Sequence, residues 1–131
     1  MSTTLTIRDE TMSGQTTHTF DLDFLTERIT VRELIRSRVY QEVQDYNQKQ
    51  PEYFHGLIQP SDAEQTLNGF KLRQRRQIDW KEQFDRALEA FELNRMLILV
   101  DDRQAAALDE EIEIRTDTDI SFLRLTLLVG G

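Results

Sequence analysis

The chain opens on alternating apolar and polar side chains. Leu5 and Ile7, and later Phe20, Leu22 and Phe24, stand between polar neighbours, so residues 3–10 and 17–25 are expected as two half-buried strands. The stretch from Met12 to Gln15, with Gly14 to make the turn, joins them as a hairpin. The period then changes: Val31, Leu34, Ile35, Val39, Val43 and Tyr46 recur at helical spacing. They follow Thr30-Val-Arg-Glu33, a capping box in which the threonine hydroxyl takes the Glu33 N–H and the glutamate reaches back. A helix over about 31–48, ended by Pro51, is predicted.

Pro51, Gly56, Pro60 and Gly69 punctuate the next segment, where Ser61-Asp-Ala-Glu64 is a second capping box that predicts a short helix to about Leu67. Asp79-Trp-Lys-Glu82 starts a further helix, with Trp80, Phe84, Ala87, Leu88 and Phe91 on one side, running to about residue 93 and ended by Asn94 in a left-handed cap. Met96-Leu-Ile-Leu-Val100, bounded by charged residues, is expected as a central strand. A turn, a short strand or loop through Ile112 and Ile114, the turn Asp117-Thr-Asp119 and a last strand from Ile120 complete the order. That strand is mostly apolar up to Val129 and is followed by Gly130 and Gly131.

Composition narrows the function classes. A length of 131 residues suits one domain, and a net charge of -8 argues against a dedicated nucleic-acid binder, because phosphates are held by clustered Lys and Arg. With no cysteine, disulfides, thiolate catalysis and Cys-based zinc sites are excluded. No apolar run approaches the length of a membrane span and no basic-then-apolar leader opens the sequence, so a cytoplasmic protein without a membrane role is expected.

A hairpin, a helix packed across it and a last strand leading to a glycine pair resemble the β-grasp fold of ubiquitin-like proteins. The likeness is densest where Leu99-Val-Asp-Asp-Arg-Gln, Leu108-Asp-Glu-Glu-Ile112, Asp117-Thr-Asp-Ile120 and Leu127-Leu-Val-Gly-Gly131 succeed one another. There the chain is similar to the molybdopterin-synthase small subunit, the thiamine-pathway sulfur carrier and bacterial ubiquitin-like modifiers. The fold expected is therefore α+β: a single β-grasp domain over residues 1–131, its mixed sheet packed on a helix, with an α-helical insertion at 51–93 and a reactive tail at 127–131. Two departures stand out: the minimal carriers lack the insertion, and Leu127 occupies a place where they usually have proline.

The resemblance implies a protein substrate rather than an enzyme, with no catalytic residue, cofactor or metal of its own. An adenylating, ubiquitin-activating-type enzyme would convert the Gly131 carboxylate to an acyl-adenylate. A thiolate would then displace AMP, and a conjugating enzyme would pass the acyl group to a target protein, with a deconjugating protease reversing the bond. Glycines suit this chemistry, since a β-carbon at Gly130 or Gly131 would crowd the acyl carbon. The alternatives are a sulfur carrier with a Gly131 thiocarboxylate and a non-catalytic β-grasp adapter. Leu123, Leu125, Leu127, Leu128 and Val129 are the candidate partner-binding residues, and Lys49, Lys71 and Lys81 the candidate chain-linkage sites.

Several features carry two meanings. Ile120 and Phe122 are expected to face the core, with Leu123 and Leu125 on the other face beside Ser121. They form either a docking patch or a surface that the inserted helix covers. Lys71, Arg73, Arg75 and Arg76 make either a phosphate- or acid-binding patch or, the better fit to an acidic chain, a solvated strand or loop face. The acidic groups at Asp101-Asp102 and Asp109-Glu110-Glu111 lack calcium-loop spacing and fit solvated turns better than a cation site. His18 and His55 have no matching nucleophile and are expected in structural or solvent roles.

Overall fold

A computed structural model describes residues 3–11, 13–49, 63–66, 69–72 and 78–124. Strands β1 (Thr3–Glu10) and β2 (Thr16–Phe24) form the hairpin, closed by Gly14 at φ 89°. A short β3 (Arg28–Thr30) leads directly into helix α1 (Val31–Lys49). The capping box forms at this junction: Glu33 N–H donates to Thr30 Oγ1 at 3.1 Å, and Thr30 N–H donates to Glu33 Oε1 at 3.3 Å.

In place of the short helix expected from Ser61 to Leu67 there is an antiparallel pair, β4 (Ala63–Thr66) and β5 (Gly69–Leu72). A helix of so few residues confined between Pro60 and Gly69 returns too few hydrogen bonds to offset its nucleation. Helix α2 (Trp80–Glu92) follows, with Asp79 as N-cap accepting from the Lys81 N–H at 3.1 Å. Asn47 holds its entrance from the α1 side, donating to the Ile78 carbonyl at 3.1 Å and accepting the Ile78 N–H at 2.8 Å. Asn94 is left-handed, at φ 59°, and stops α2 as expected.

The remaining strands are β6 (Met96–Val100), β7 (Arg103–Gln104), β8 (Glu111–Glu113) and β9 (Asp119–Arg124). The main sheet is mixed and five-stranded, in the order β2-β1-β9-β6-β7, with β1 and β9 parallel and the other pairs antiparallel. Strands β3 and β8 pair separately. The architecture is α+β, with α1 on one face of the sheet and α2 packed beside α1.

Alternation sorts the two faces. Leu5, Ile7, Leu22, Phe24, Met96, Ile98, Val100, Ile120 and Phe122 are buried toward α1, which contributes Val31, Leu34, Ile35, Val39, Val43 and Tyr46. Each such aliphatic side chain contributes about 1.5–3 kcal/mol on burial. Ile78, Ala87 and Phe91 join this same core, so the end of the 51–93 segment is built into the domain.

The β6–β7 turn places Asp101 at φ 51° and Asp102 at φ 67°, a two-residue hairpin with both centres left-handed. Asp101 is compensated: its N–H donates to the Asp119 carbonyl at 2.8 Å and its Oδ1 accepts the Asp119 N–H at 2.9 Å. Asp102 is exposed, and relief of its left-handed strain by Asp102→Gly is expected to raise stability by about 0.5–1 kcal/mol. Urea unfolding followed by circular dichroism checks this; an unchanged or lower midpoint counts against it.

Candidate functional site

Strand β9 occupies the middle of the sheet, between β1 and β6. It buries Ile120 and Phe122 toward α1, as the alternation predicts, and turns Ser121 and Leu123 to the opposite face. There Leu123 lies directly across from Leu97, and Leu99 across from Ser121; all three leucines are half-buried. Helix α2 packs beside α1 and sends Ala87 and Phe91 into the core on the α1 side of the sheet. Leu125, Leu127, Leu128, Val129, Gly130 and Gly131 lie outside the described residues.

The rest of this open face is polar. Thr4 and Thr6 donate to Asp23 and Asp21 across the β1–β2 pair, at 2.5 and 3.0 Å. Arg8 reaches Asp119 at 2.5 Å and Ser121 at 3.5 Å. A half-buried leucine group beside β9 is thus bordered by ion-paired and hydrogen-bonded side chains, an apolar patch with a polar rim.

On the inner face, directly beneath Phe122, lies a charged group that the sequence patterns did not single out. Arg38 of α1 is 0% exposed, and its Nη1 and Nη2 donate to the two Asp9 oxygens at 2.5 and 2.6 Å. Its Nε and Nη2 donate to Glu42 Oε1 at 3.0 and 2.9 Å. The guanidinium carbon is 4.7 Å from the centre of the Phe20 ring and 4.5 Å from that of Phe122. Burial works against the Arg38 charge more than any other single influence, yet Glu42 and Asp9 together outweigh it and hold its pKa above the ordinary arginine value. Arg38 is spent on structure. It fastens α1 to the end of β1 and supports the ring of β9 that precedes Leu123.

The acidic runs are engaged locally. Glu110 accepts the Ala106 N–H at 2.9 Å and pairs with Arg103 at 3.0 Å, and Asp109 lies 3.5 Å from Arg32. No group of three potential metal ligands occurs among the described residues. His18 stacks on Phe20, with ring centres 5.5 Å apart, and His55 lies outside the described residues.

Trp80 is half-buried under Tyr40 and Arg36, which stand 5.6 and 5.5 Å from its ring. Of the lysines, Lys81 is exposed in the first turn of α2, Lys49 is the last residue of α1 and Lys71 lies in β5. Arg73, Arg75 and Arg76 fall outside the described residues. No helix among the described residues is long and apolar enough to cross a membrane. No family model, curated protein or solved structure matches the chain.

Proposed function

We propose that this chain is a ubiquitin-like protein of the β-grasp type whose Gly131 carboxylate is activated by an adenylating enzyme and transferred to a target protein. One observation carries this. The sheet order β2-β1-β9-β6-β7, with a hairpin at one side, a central parallel β1–β9 pair and α1 across one face, is the arrangement expected of a β-grasp domain. In it β9, the strand that precedes Gly130 and Gly131 in the sequence, lies in the middle of the sheet and shares a leucine patch with β6 through Leu123, Leu97 and Leu99.

In the first step a Gly131 carboxylate oxygen attacks the α-phosphorus of ATP and pyrophosphate leaves. The resulting mixed anhydride makes AMP the leaving group, so an enzyme thiolate attacks the acyl carbon and forms a thioester. A target amine then displaces the thiolate and closes an amide bond. The chain's own contribution is access and docking: no side chain flanks the acyl carbon, and the leucine patch offers apolar area to the activating enzyme.

This role requires Gly131 to end the mature protein, which intact mass measured on protein from its source establishes. ATP–pyrophosphate exchange and thioester formation with a candidate activating enzyme are then expected for the chain ending at Gly131 and lost when Gly131 is deleted. Activity that survives the deletion, or a mature chain that continues past Gly131, overturns the role. A covalent adduct to another protein marks a modifier, whereas a mass gain matching exchange of one carboxyl oxygen for sulfur marks the sulfur carrier instead.

A further inference from the structure

Strand β6 is paired along its whole length on the β9 side but, among the described residues, only in part on the other. Strand β7 pairs with Leu99 and Val100, and the Ala105 N–H reaches the Ile98 carbonyl at 2.9 Å. Backbone groups of alternate residues point to the same side of a strand. Those of Met96 therefore point the same way as those of Ile98, toward the flank that β7 leaves uncovered. This flank opens into a cleft of about 370 Å3 between the end of α2 and residues 104–109.

The cleft has an apolar floor under a mainly polar lining, and carboxylates stand at its mouth. Phe91, Met96, Ala105 and Leu108 line it and are buried, while Glu92 and Asp109 stand exposed at the rim. The last turn of α2 carries no basic residue, and its carbonyls at Glu89, Ala90 and Phe91 are capped by the N–H groups of Leu93, Arg95 and Asn94. Arg32 is the one basic side chain among the lining residues, and it faces Asp109 at 3.5 Å.

We infer that this cleft docks an extended basic segment of a partner protein. The segment adds a strand to the free start of β6, using Met96 backbone groups, and inserts one lysine or arginine. The aliphatic stem of that residue lies on Phe91, Met96 and Leu108, and its charge meets Glu92 and the C-terminal end of α2. Charge complementarity selects this occupant, since an acidic strand would set like charges against Glu92 and Asp109. The volume lies at the lower end of the roughly 300–1,000 Å3 typical of built ligand sites, which suits one long side chain. None of this depends on Gly131.

The test is a titration of the full 15N-labelled chain with an acetylated, amidated hexapeptide alternating valine and lysine, beside the same peptide with glutamate for lysine. The expected result is saturable binding of the lysine peptide alone, with amide shifts concentrated on Met96, Leu97 and residues 104–108. Glu92→Lys, an exposed change, is expected to weaken binding about tenfold. Ala106→Trp, which fills the mouth from an exposed position, is expected to abolish it.

The inference is overturned if neither peptide binds or both bind equally. It is also overturned if the shifts map to β2, or if Glu92→Lys melts like the parent and binds unchanged. Deleting Gly131 leaves peptide binding intact if the cleft acts on its own, so failure of the tail chemistry and failure of the cleft are separately visible.

Discussion

Arg38→Met is expected to destabilise the protein by about 3 kcal/mol, which urea unfolding monitored by circular dichroism will read directly. The cost comes less from a lost attraction than from what stays behind. Asp9 and Glu42 have side chains only 16% and 14% exposed, and both lose the guanidinium that balances them. Methionine has the length to fill the slot between Phe20 and Phe122 but gives neither carboxylate a donor. Asp9→Asn, which keeps an acceptor for Arg38, is expected to cost less, about 1–2 kcal/mol. Combining Arg38→Met with Asp9→Leu should recover part of the loss, because one stranded charge is then gone. A loss below about 1 kcal/mol for Arg38→Met would show that the group behaves as a surface ion pair.

Ile120→Ala is expected to cost about 3–4 kcal/mol, near the upper half of the range for emptying a tightly packed aliphatic site. Ile120 is 0% exposed and lies in register with Ile7 on one side and Val100 on the other, at the centre of the sheet. Its removal leaves a cavity that two neighbouring strands cannot both move to fill. Leu123→Ala, three residues along the same strand but on the open face, should cost about 1 kcal/mol or less, since that side chain is only half-buried. The difference makes Leu123→Ala the variant with which to probe docking of an activating enzyme, because the fold survives it. Equal losses for the two substitutions would mean that Leu123 is packed as a core residue and is unavailable to a partner.

Elements with a clear period were legible in the sequence. The alternation around Leu5 and Leu22 and the helical spacing from Val31 to Tyr46 predict strands and a helix within about one residue of those found. Asn94 marked the end of α2 because asparagine tolerates the left-handed conformation it adopts. Strand β3, of three residues, is too short for any period to register, whereas β8 falls where a short strand or loop through Ile112 is expected. The box at Ser61 misled because the local capping signal says nothing about how far a helix can extend before Gly69.

Leu97 and Leu99 escaped notice as patch residues because the continuous run Met96–Val100 hides which members turn outward; pairing with Leu123 and Ser121 decides it. Arg38 left a fainter trace. It falls on the apolar stripe of α1, four residues before Glu42, while Asp9 takes the inward position after Leu5 and Ile7. Charges at core positions on two elements are visible in one sequence, but only folding brings them together.

The parallel pairing of β1 with β9 also bears on how the chain is made. Ile7 and Ile120 meet although they lie far apart in the sequence, so a long loop must close before the middle of the sheet exists. During synthesis the β1–β2 hairpin and α1 emerge before β9, so the flank of β1 that will receive β9 stays uncovered until Asp119–Arg124 has been made. A ribosome-bound chain therefore carries an unpaired, half-apolar strand edge throughout the synthesis of everything between β1 and β9, the kind of edge that invites pairing with another chain.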